Sequence, residues 1–265
     1  MNLYYSLAEA LSECPMRGQL MKARRLPPPS TLVAVKQLKG HTLDRVIGIA
    51  YRDLWWEPGQ KPKDLRHVCE EAFLWSWSNE RPAMLTDAQR TEIIDSVFEG
   101  AKTLLEQMRD FDLIPVLDGR VQARVERPYN DDVTITGVID LLIDSGKDIS
   151  LVDAKSGTYR SPRQLSWYRY LVEPYRVVPT RVGFWFPLAG VIEWADQKKL
   201  PDVQPMIAKS LELLASGDRT TTPGKHCGTC PLFSGCETGI QWKHAITASE
   251  EKISVADPGA HMVGF

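Results

Sequence analysis

The sequence has no run approaching the ~18 apolar residues that a membrane-spanning helix requires. It has no excess of one charge sign. With 32 Lys and Arg against 34 Asp and Glu the net charge is -2, which excludes a globally basic nucleic-acid coat. The N-terminus, MNLYYSLAEALSECPMRG, carries no early basic run, and Glu9 and Glu13 interrupt its apolar stretch, so it is not read as a signal peptide. No segment repeats. Cysteine is scarce and odd in number: Cys14, Cys69, Cys227, Cys230 and Cys236. A chain this long, 43% hydrophobic, buries its own core and does not depend on a disulfide framework. These absences predict a soluble cytoplasmic protein with no membrane partner.

The charge that is present is unevenly spread. Residues 15–66 hold eleven Lys and Arg and four acids, a balance of +7, so the rest of the chain sums to -9. Such a stretch either meets phosphates on one face or forms a solvated helical surface.

Periodicity predicts helix over 3–13, ended by Cys14-Pro15, and a stiff linker at Pro27-Pro28-Pro29. A helix follows Gly40, with Leu43, Val46, Ile47, Ala50 and Leu54 on one face, until residues 55–59 break it. Residues 63–78 read as helix. Thr86 to Gln89 reads as a capping box opening a helix to about Met108. The pattern then changes to period two. Strands are expected over 121–126, 133–143 and 149–155, then a helix over 162–173 and a hairpin of 182–186 with 191–194. Residues 202–216 read as helix stopped by Gly217, and the chain from about His244 as a loose polar tail. The domain expectation is one unit over 1–242: helical to 111, sheet and helix over 112–200, helix and cysteines over 201–242. A tail of 243–265 follows.

Two strands carry acids where apolar residues are expected. Asp140 shares its face with Val138 and Leu142. The face of Ile149 and Leu151 continues as Asp153 and Lys155. Charges on an apolar strand face need a partner, and two carboxylates suit a hard divalent cation such as Mg²⁺ or Mn²⁺. Lys155 beside such an ion can orient a water or steady a phosphate oxygen. The plain alternative is a strand end at which the charges reach solvent.

Near the C-terminus, Cys227-Gly-Thr-Cys230-Pro-Leu-Phe-Ser-Gly-Cys236 spaces three thiols as C-x₂-C-x₅-C. Three need a fourth ligand to close a site, and Cys14 is the candidate; His226 is read as a bystander. Spacing leaves zinc and an iron–sulfur cluster both open. Cys69 remains as a packed thiol.

Gly137-Val-Ile-Asp140, Asp153-Ala-Lys155 and Gln164-Leu-Ser-Trp-Tyr168 together resemble the PD-(D/E)XK nuclease superfamily, and more closely its RecB-like exonuclease branch. The cysteine layout, with Cys14 before Pro15 and three cysteines after the core, is similar to the iron–sulfur members of that branch. These are typified by the CRISPR-associated RecB-like nuclease and the AddB nuclease domain. The resemblance spans roughly residues 6–237.

It implies an α/β, restriction-endonuclease-like core: a central mixed sheet flanked by helices, an N-terminal helical region and a C-terminal cysteine cluster. It implies a metal-dependent deoxyribonuclease, an exonuclease in recombination, repair or CRISPR adaptation, acting on single-stranded or duplex DNA ends. Asp140, Asp153 and the Ala154 carbonyl would hold Mg²⁺ or Mn²⁺, Lys155 would activate water, and Gln164 and Tyr168 would position the strand. Cys14, Cys227, Cys230 and Cys236 would hold a [4Fe–4S] cluster. Where family members often have a helical Gly-x-x-x-His, this chain has Gly40-His41-Thr42-Leu43-Asp44, which puts Asp44 in the ligand position with His41 as the alternative register. Glu126 either matches a family glutamate or pairs with a neighbouring arginine. Trp55 and Trp56, in the basic stretch, are expected to stack on single-stranded ends. The rival reading is a non-catalytic DNA-binding or assembly subunit with a structural cysteine–metal site.

Overall fold

A computed structural model describes residues 1–27, 31–80, 85–158 and 160–256, so Pro28 and Pro29 of the expected linker lie outside the described residues. The chain divides into two compact units. One comprises 1–5 and 30–205, the other 6–29 and 206–265. The sequence reading, which takes 1–242 together, does not make this division.

The larger unit is built on six strands: β1 (Asn2–Tyr4), β2 (Asp118–Pro128), β3 (Thr134–Asp144), β4 (Ile149–Ala154), β5 (Arg181–Phe186) and β6 (Val191–Trp194). Their order is β1-β3-β4-β5-β6, with β2 also paired to β3. β1 runs parallel to β3 and β4 parallel to β5, while the β2–β3, β3–β4 and β5–β6 pairs are antiparallel. This is the expected mixed sheet. Residues 3 and 4, expected as the start of a helix, belong instead to strand β1. A three-residue segment is too short to show its period, and only its partner on β3 decides its state.

Helices α3 (Thr31–Arg52), α4 (Leu65–Glu80), α5 (Asp87–Lys102) and α6 (Leu104–Asp110) cover the sheet. Leu43, Val46, Ile47 and Ala50 pack with Val97, Ala101, Leu104 and Met108 against Leu141, Ile143, Val152 and Trp185. Burying side chains of this size contributes roughly 1.5–3 kcal/mol each. The capping box is formed: Thr86 Oγ1 accepts from Gln89 N at 3.2 Å, and Gln89 Oε1 accepts from Thr86 N at 3.0 Å. The expected single helix to Met108 is interrupted at Thr103. Leu54 does not join the α3 face. It sits at φ 52° and is 47% exposed, because the helix ends at Arg52.

A seventh helix, α7 (Pro162–Val172), packs on β2, β3 and β4. Gly137 permits the approach, since a Cβ there would come within 2.6 Å of Leu171 Cδ1. Helix α7 carries two of the expected site residues, so this contact brings them to the sheet.

The smaller unit holds most of α1 (Tyr5–Glu13), then α2 (Pro15–Lys22), α8 (Gln204–Ser216) and α9 (Glu237–Ala256). Gln19 Nε2 donates to Leu213 O at 2.6 Å, and Met16 N to Thr220 O at 3.1 Å, so the N-terminal segment is tied to the C-terminal one. Helix α2 was not expected from the sequence. Helix α9 continues past His244 to Ala256, where a loose tail was expected. A polar helix has no apolar stripe for periodicity to detect.

Candidate active site

The β3–β4 ladder closes on the pair Leu141–Val152. One residue beyond it, on each strand, stand Asp140 and Asp153. Asp153 lies on a strand buried on both faces and is 1% exposed. Asp140 lies on the more open side of β3, where Val138 is 45% exposed, so the face expected to be apolar is only half covered. Asp140 Oδ2 accepts from Ala154 N at 2.9 Å, and the two carboxylates come within hydrogen-bond reach of one another.

Lys155 and α7 complete the group. Lys155 Nζ lies 2.6 Å from Asp153 Oδ2 and donates to Gln164 Oε1 at 2.9 Å. Gln164 Nε2 donates to Asp153 Oδ1 at 2.8 Å and lies 2.8 Å from the Tyr168 hydroxyl. Tyr168 in turn donates to Asp153 Oδ1 at 3.3 Å. Residues four apart share a helix face, so Gln164 and Tyr168 reach the same carboxylate. The structure therefore brings together Asp140, Asp153, Lys155, Gln164 and Tyr168.

Burial sets the electrostatics. Desolvation pushes Asp140 well above the usual carboxylate range, and the charges of Asp153 and Asp44 add to it. Asp153 is raised by burial, against which Lys155 pulls down. Asp44 is pushed up to about 7, first by burial and then by Asp153. Tyr168 is raised by burial and by both hairpin aspartates, which keeps its proton on the phenol.

Asp44 sits on α3 thirteen residues after the helix begins, not near its first turn. Its place at the site is set by tertiary packing and not by the helix dipole. Gly40, one turn earlier, lets α3 approach the loop after β4, where a Cβ would stand 3.2 Å from Ser156 Oγ. His41 and Asp44 line one groove of about 310 Å³ with Arg45, Gly48, Trp75 and Gln122. Asp44 feels the charges of both Asp153 and Lys155.

Several expectations are corrected. Trp55 is 2% exposed and belongs to the core, and Trp56 packs edge-on against Tyr51 at 5.4 Å, so neither offers a free ring to a base. Glu126 is exposed and pairs with Arg124 Nε at 2.9 Å. The basic stretch 15–66 is divided between the two units, and Arg17, Arg52 and Arg66 are paired with acids. One contributor was missed. Gln122 on β2 holds φ 51°, stands opposite Asp140 between the pairs Val121–Leu141 and Ala123–Ile139, and donates from Nε2 to Asp140 Oδ1 at 3.1 Å. In sequence it is only the polar member of an alternating strand.

The donor set fits a hard divalent ion. Asp140 and Asp153 adjoin one another, both are raised by desolvation, and Asp153 Oδ2 has the Lys155 ammonium 2.6 Å away. Two such carboxylates match a hard ion that completes its shell with water. Among the described residues, no three His, Cys, Asp or Glu side chains are arranged to hold one metal ion, so Asp44 stands apart from the hairpin pair.

In the smaller unit, Cys14, Cys227, Cys230 and Cys236 line a single pocket, and none forms a disulfide. Cys14 is the N-cap of α2, and Cys236 directly precedes α9. A Cβ on Gly239 would lie 3.6 Å from Cys236 Sγ and 3.7 Å from Cys227 Sγ, so both sulfurs face the first turn of α9. Burial raises Cys230, while the Leu232 N–H hydrogen bond lowers it. Four thiols thus share one pocket, the residue type that a thiolate-ligated centre uses, although among the described residues no three of them are arranged to hold a single ion. Cys69 is buried away from them in the core, its thiol pushed up to about 11 by burial. His226 also lines the pocket, with Nε2 3.0 Å from Thr222 O.

No curated protein matches the sequence. No helix among the described residues is long and apolar enough to cross a membrane. The model of the PD-(D/E)XK nuclease superfamily, whose members hydrolyse phosphodiester bonds in DNA with divalent metals such as Mg²⁺ or Mn²⁺, matches residues 5–237, from the first helix through the last cysteine. Nearly the whole chain is covered, both units included, and the chain belongs to that superfamily.

Proposed function

We propose that this protein is a Mg²⁺- or Mn²⁺-dependent deoxyribonuclease that works as an exonuclease, braced by a [4Fe–4S] cluster on Cys14, Cys227, Cys230 and Cys236. One observation carries the catalytic reading: Asp140, Asp153, Lys155, Gln164 and Tyr168 form one connected group around two adjoining, desolvated carboxylates. Carboxylates raised in this way by burial gain most from a cation bound between them.

Asp140, Asp153 and the Ala154 carbonyl would hold the ion, with Asp44 assisting. When bound, the ion polarises the scissile phosphate and lowers the pKa of a water. Asp153 holds Lys155 by charge, and Gln164 fixes both through its two amide atoms. Lys155 thereby keeps its ammonium at the mouth of the site, where it orients an attacking water or a phosphate oxygen. Tyr168 and Gln164 both donate to Asp153 Oδ1, while Oδ2 faces the Lys155 ammonium.

The cluster reading rests on four thiols lining one pocket, with the layout of one cysteine before Pro15 and three after the core. The N-termini of α2 and α9 point positive dipole ends at an anionic thiolate centre.

The test incubates the full chain with end-labelled single- and double-stranded DNA, with Mg²⁺, Mn²⁺ or EDTA. Release of nucleotides from ends, abolished by EDTA, is the expected result. A folded protein that binds DNA and cuts neither substrate with either ion would establish the non-catalytic subunit instead. Uncut RNA beside degraded DNA would complete the substrate assignment.

A further inference from the structure

Trp75 is a tryptophan with no part in the core. It lies on α4, is 49% exposed, and has the Arg45 guanidinium of α3 stacked 4.6 Å from its ring centroid. Both residues line the groove that contains Asp44. The groove, at about 310 Å³, is within the ~300–1,000 Å³ range of small-ligand sites. Gly48 leaves its α3 wall without a side chain.

The groove is continuous with the catalytic carboxylates. Gln122 lines it and donates to Asp140 Oδ1 at 3.1 Å. Its φ of 51° is a left-handed conformation rare for a residue with a side chain, and in a strand it costs of order 1 kcal/mol. That strain falls at the position opposite Asp140 in the β2–β3 pairing. The side chain so placed joins the groove to the carboxylate.

An exposed indole, a guanidinium against it and a reacting centre one hydrogen bond away are the parts of a nucleotide site. A base has a π-face for the indole, and its phosphate has the anionic oxygens that a guanidinium binds in a bidentate manner. We propose that Trp75 and Arg45 form a subsite for the unpaired nucleotide adjoining the scissile phosphate, Trp75 stacking its base and Arg45 holding its phosphate. A paired base stays stacked in its duplex and cannot lie on the indole, so the subsite selects a strand whose end is open. Gln122 acts as a positioning residue. It holds the Asp140 carboxylate through its Nε2 hydrogen bond. The subsite rests on the nuclease reading for the identity of its ligand.

The test separates the two. Binding of a fluorescein-labelled oligothymidylate is measured for the whole protein in EDTA, where no cleavage occurs, and cleavage is then measured with Mn²⁺. Trp75→Ala should weaken binding about 5- to 150-fold, the contribution of one stacked base. Trp75→Phe should recover part of the loss. Arg45→Ala should weaken binding and flatten its salt dependence. In cleavage, Trp75→Ala should raise KM with kcat little changed on the intact strand. On a strand with an abasic residue at that position, wild type and Trp75→Ala should be alike. Both variants alter exposed side chains, and circular dichroism with a melting curve checks the fold. A Trp75→Ala protein that binds and cuts like wild type overturns the subsite and leaves the nuclease reading intact. A wild type that binds no oligonucleotide and cuts none overturns both. Equal wild-type affinity for blunt duplex and single strand also overturns the proposal.

Discussion

Gln164 Nε2 donates to Asp153 Oδ1 across 2.8 Å, so a side chain on α7 orients a carboxylate on β4. The same amide accepts from Lys155 at 2.9 Å, which makes Gln164 the joint between the carboxylate and the ammonium. Gln164→Ala should lower kcat about 10- to 100-fold, the usual loss when a group behind a metal ligand is removed. Gln164→Glu should do at least as much harm, since it sets a second negative charge against Asp153. Full activity in both, measured by nucleotide release, would show that the network is packing alone.

Asp153→Ala and Lys155→Ala should each abolish cleavage, by about 10²-fold or more, while the fold and DNA binding persist. Each removal leaves a charge without its partner, so some loss of melting temperature is expected as well. A folded Asp153→Ala protein cutting at the wild-type rate would remove Asp153 from the mechanism.

Asp44 and His41 line one groove, and the competing registers on α3 make opposite predictions. If Asp44 assists the ion, Asp44→Ala lowers the rate without unfolding the protein, and His41→Ala changes little. Asp44→His keeps activity but shifts preference toward Mn²⁺, because imidazole favours softer ions than carboxylate. An inactive His41→Ala beside an active Asp44→Ala would assign the ligand to His41. If neither changes the rate, the hairpin holds the ion by itself.

The raised carboxylates make stability depend on pH. Asp44, pushed up to about 7 by burial, is neutral in the fold over a range where it is ionised in the unfolded chain. Its contribution is complete below the ordinary value near 4 and is lost as pH rises through about 7. Asp140 and Asp153 are shifted in the same direction. Melting in EDTA should therefore fall between about pH 5 and about pH 8. Mn²⁺ should raise it more at the upper end, because the ion binds only ionised carboxylates. A metal-induced rise that is larger at acid pH would contradict this.

Aerobically purified protein should be brown, and elemental analysis should find iron in preference to zinc. Cys14→Ala should lose the colour and lower the melting temperature, because it frees the segment that α2 ties to the C-terminal part. Colourless protein with one equivalent of zinc would replace the cluster with a structural zinc site.

The hairpin, its acids and the helix after it were legible in the sequence, because they depend on local rules. Alternation marks β3 and β4, and a carboxylate on such a strand is an anomaly visible without coordinates. The four-residue spacing of Gln164 and Tyr168 places them on one face of any helix. The capping box at Thr86 is likewise local. By contrast, Trp55 and Trp75 are both tryptophans near charged residues, and nothing in their neighbours along the chain tells them apart. Packing put Trp55 in the core at 2% exposure and left Trp75 half open beside Asp44. Gln122 reaches Asp140 because strand pairing sets the two opposite one another, and it does so at φ 51°, a backbone state that the alternating pattern does not encode. Cys14 lies more than 200 residues before Cys227, and its spacing from the other three carries no information until the chain ends are packed together. The residue types suited to the chemistry were thus determined by the sequence itself, since each strand and helix follows from neighbours a few positions away. Which of those residues meet was decided by tertiary structure, since burial, desolvation and the meeting of distant segments arise only when the elements pack.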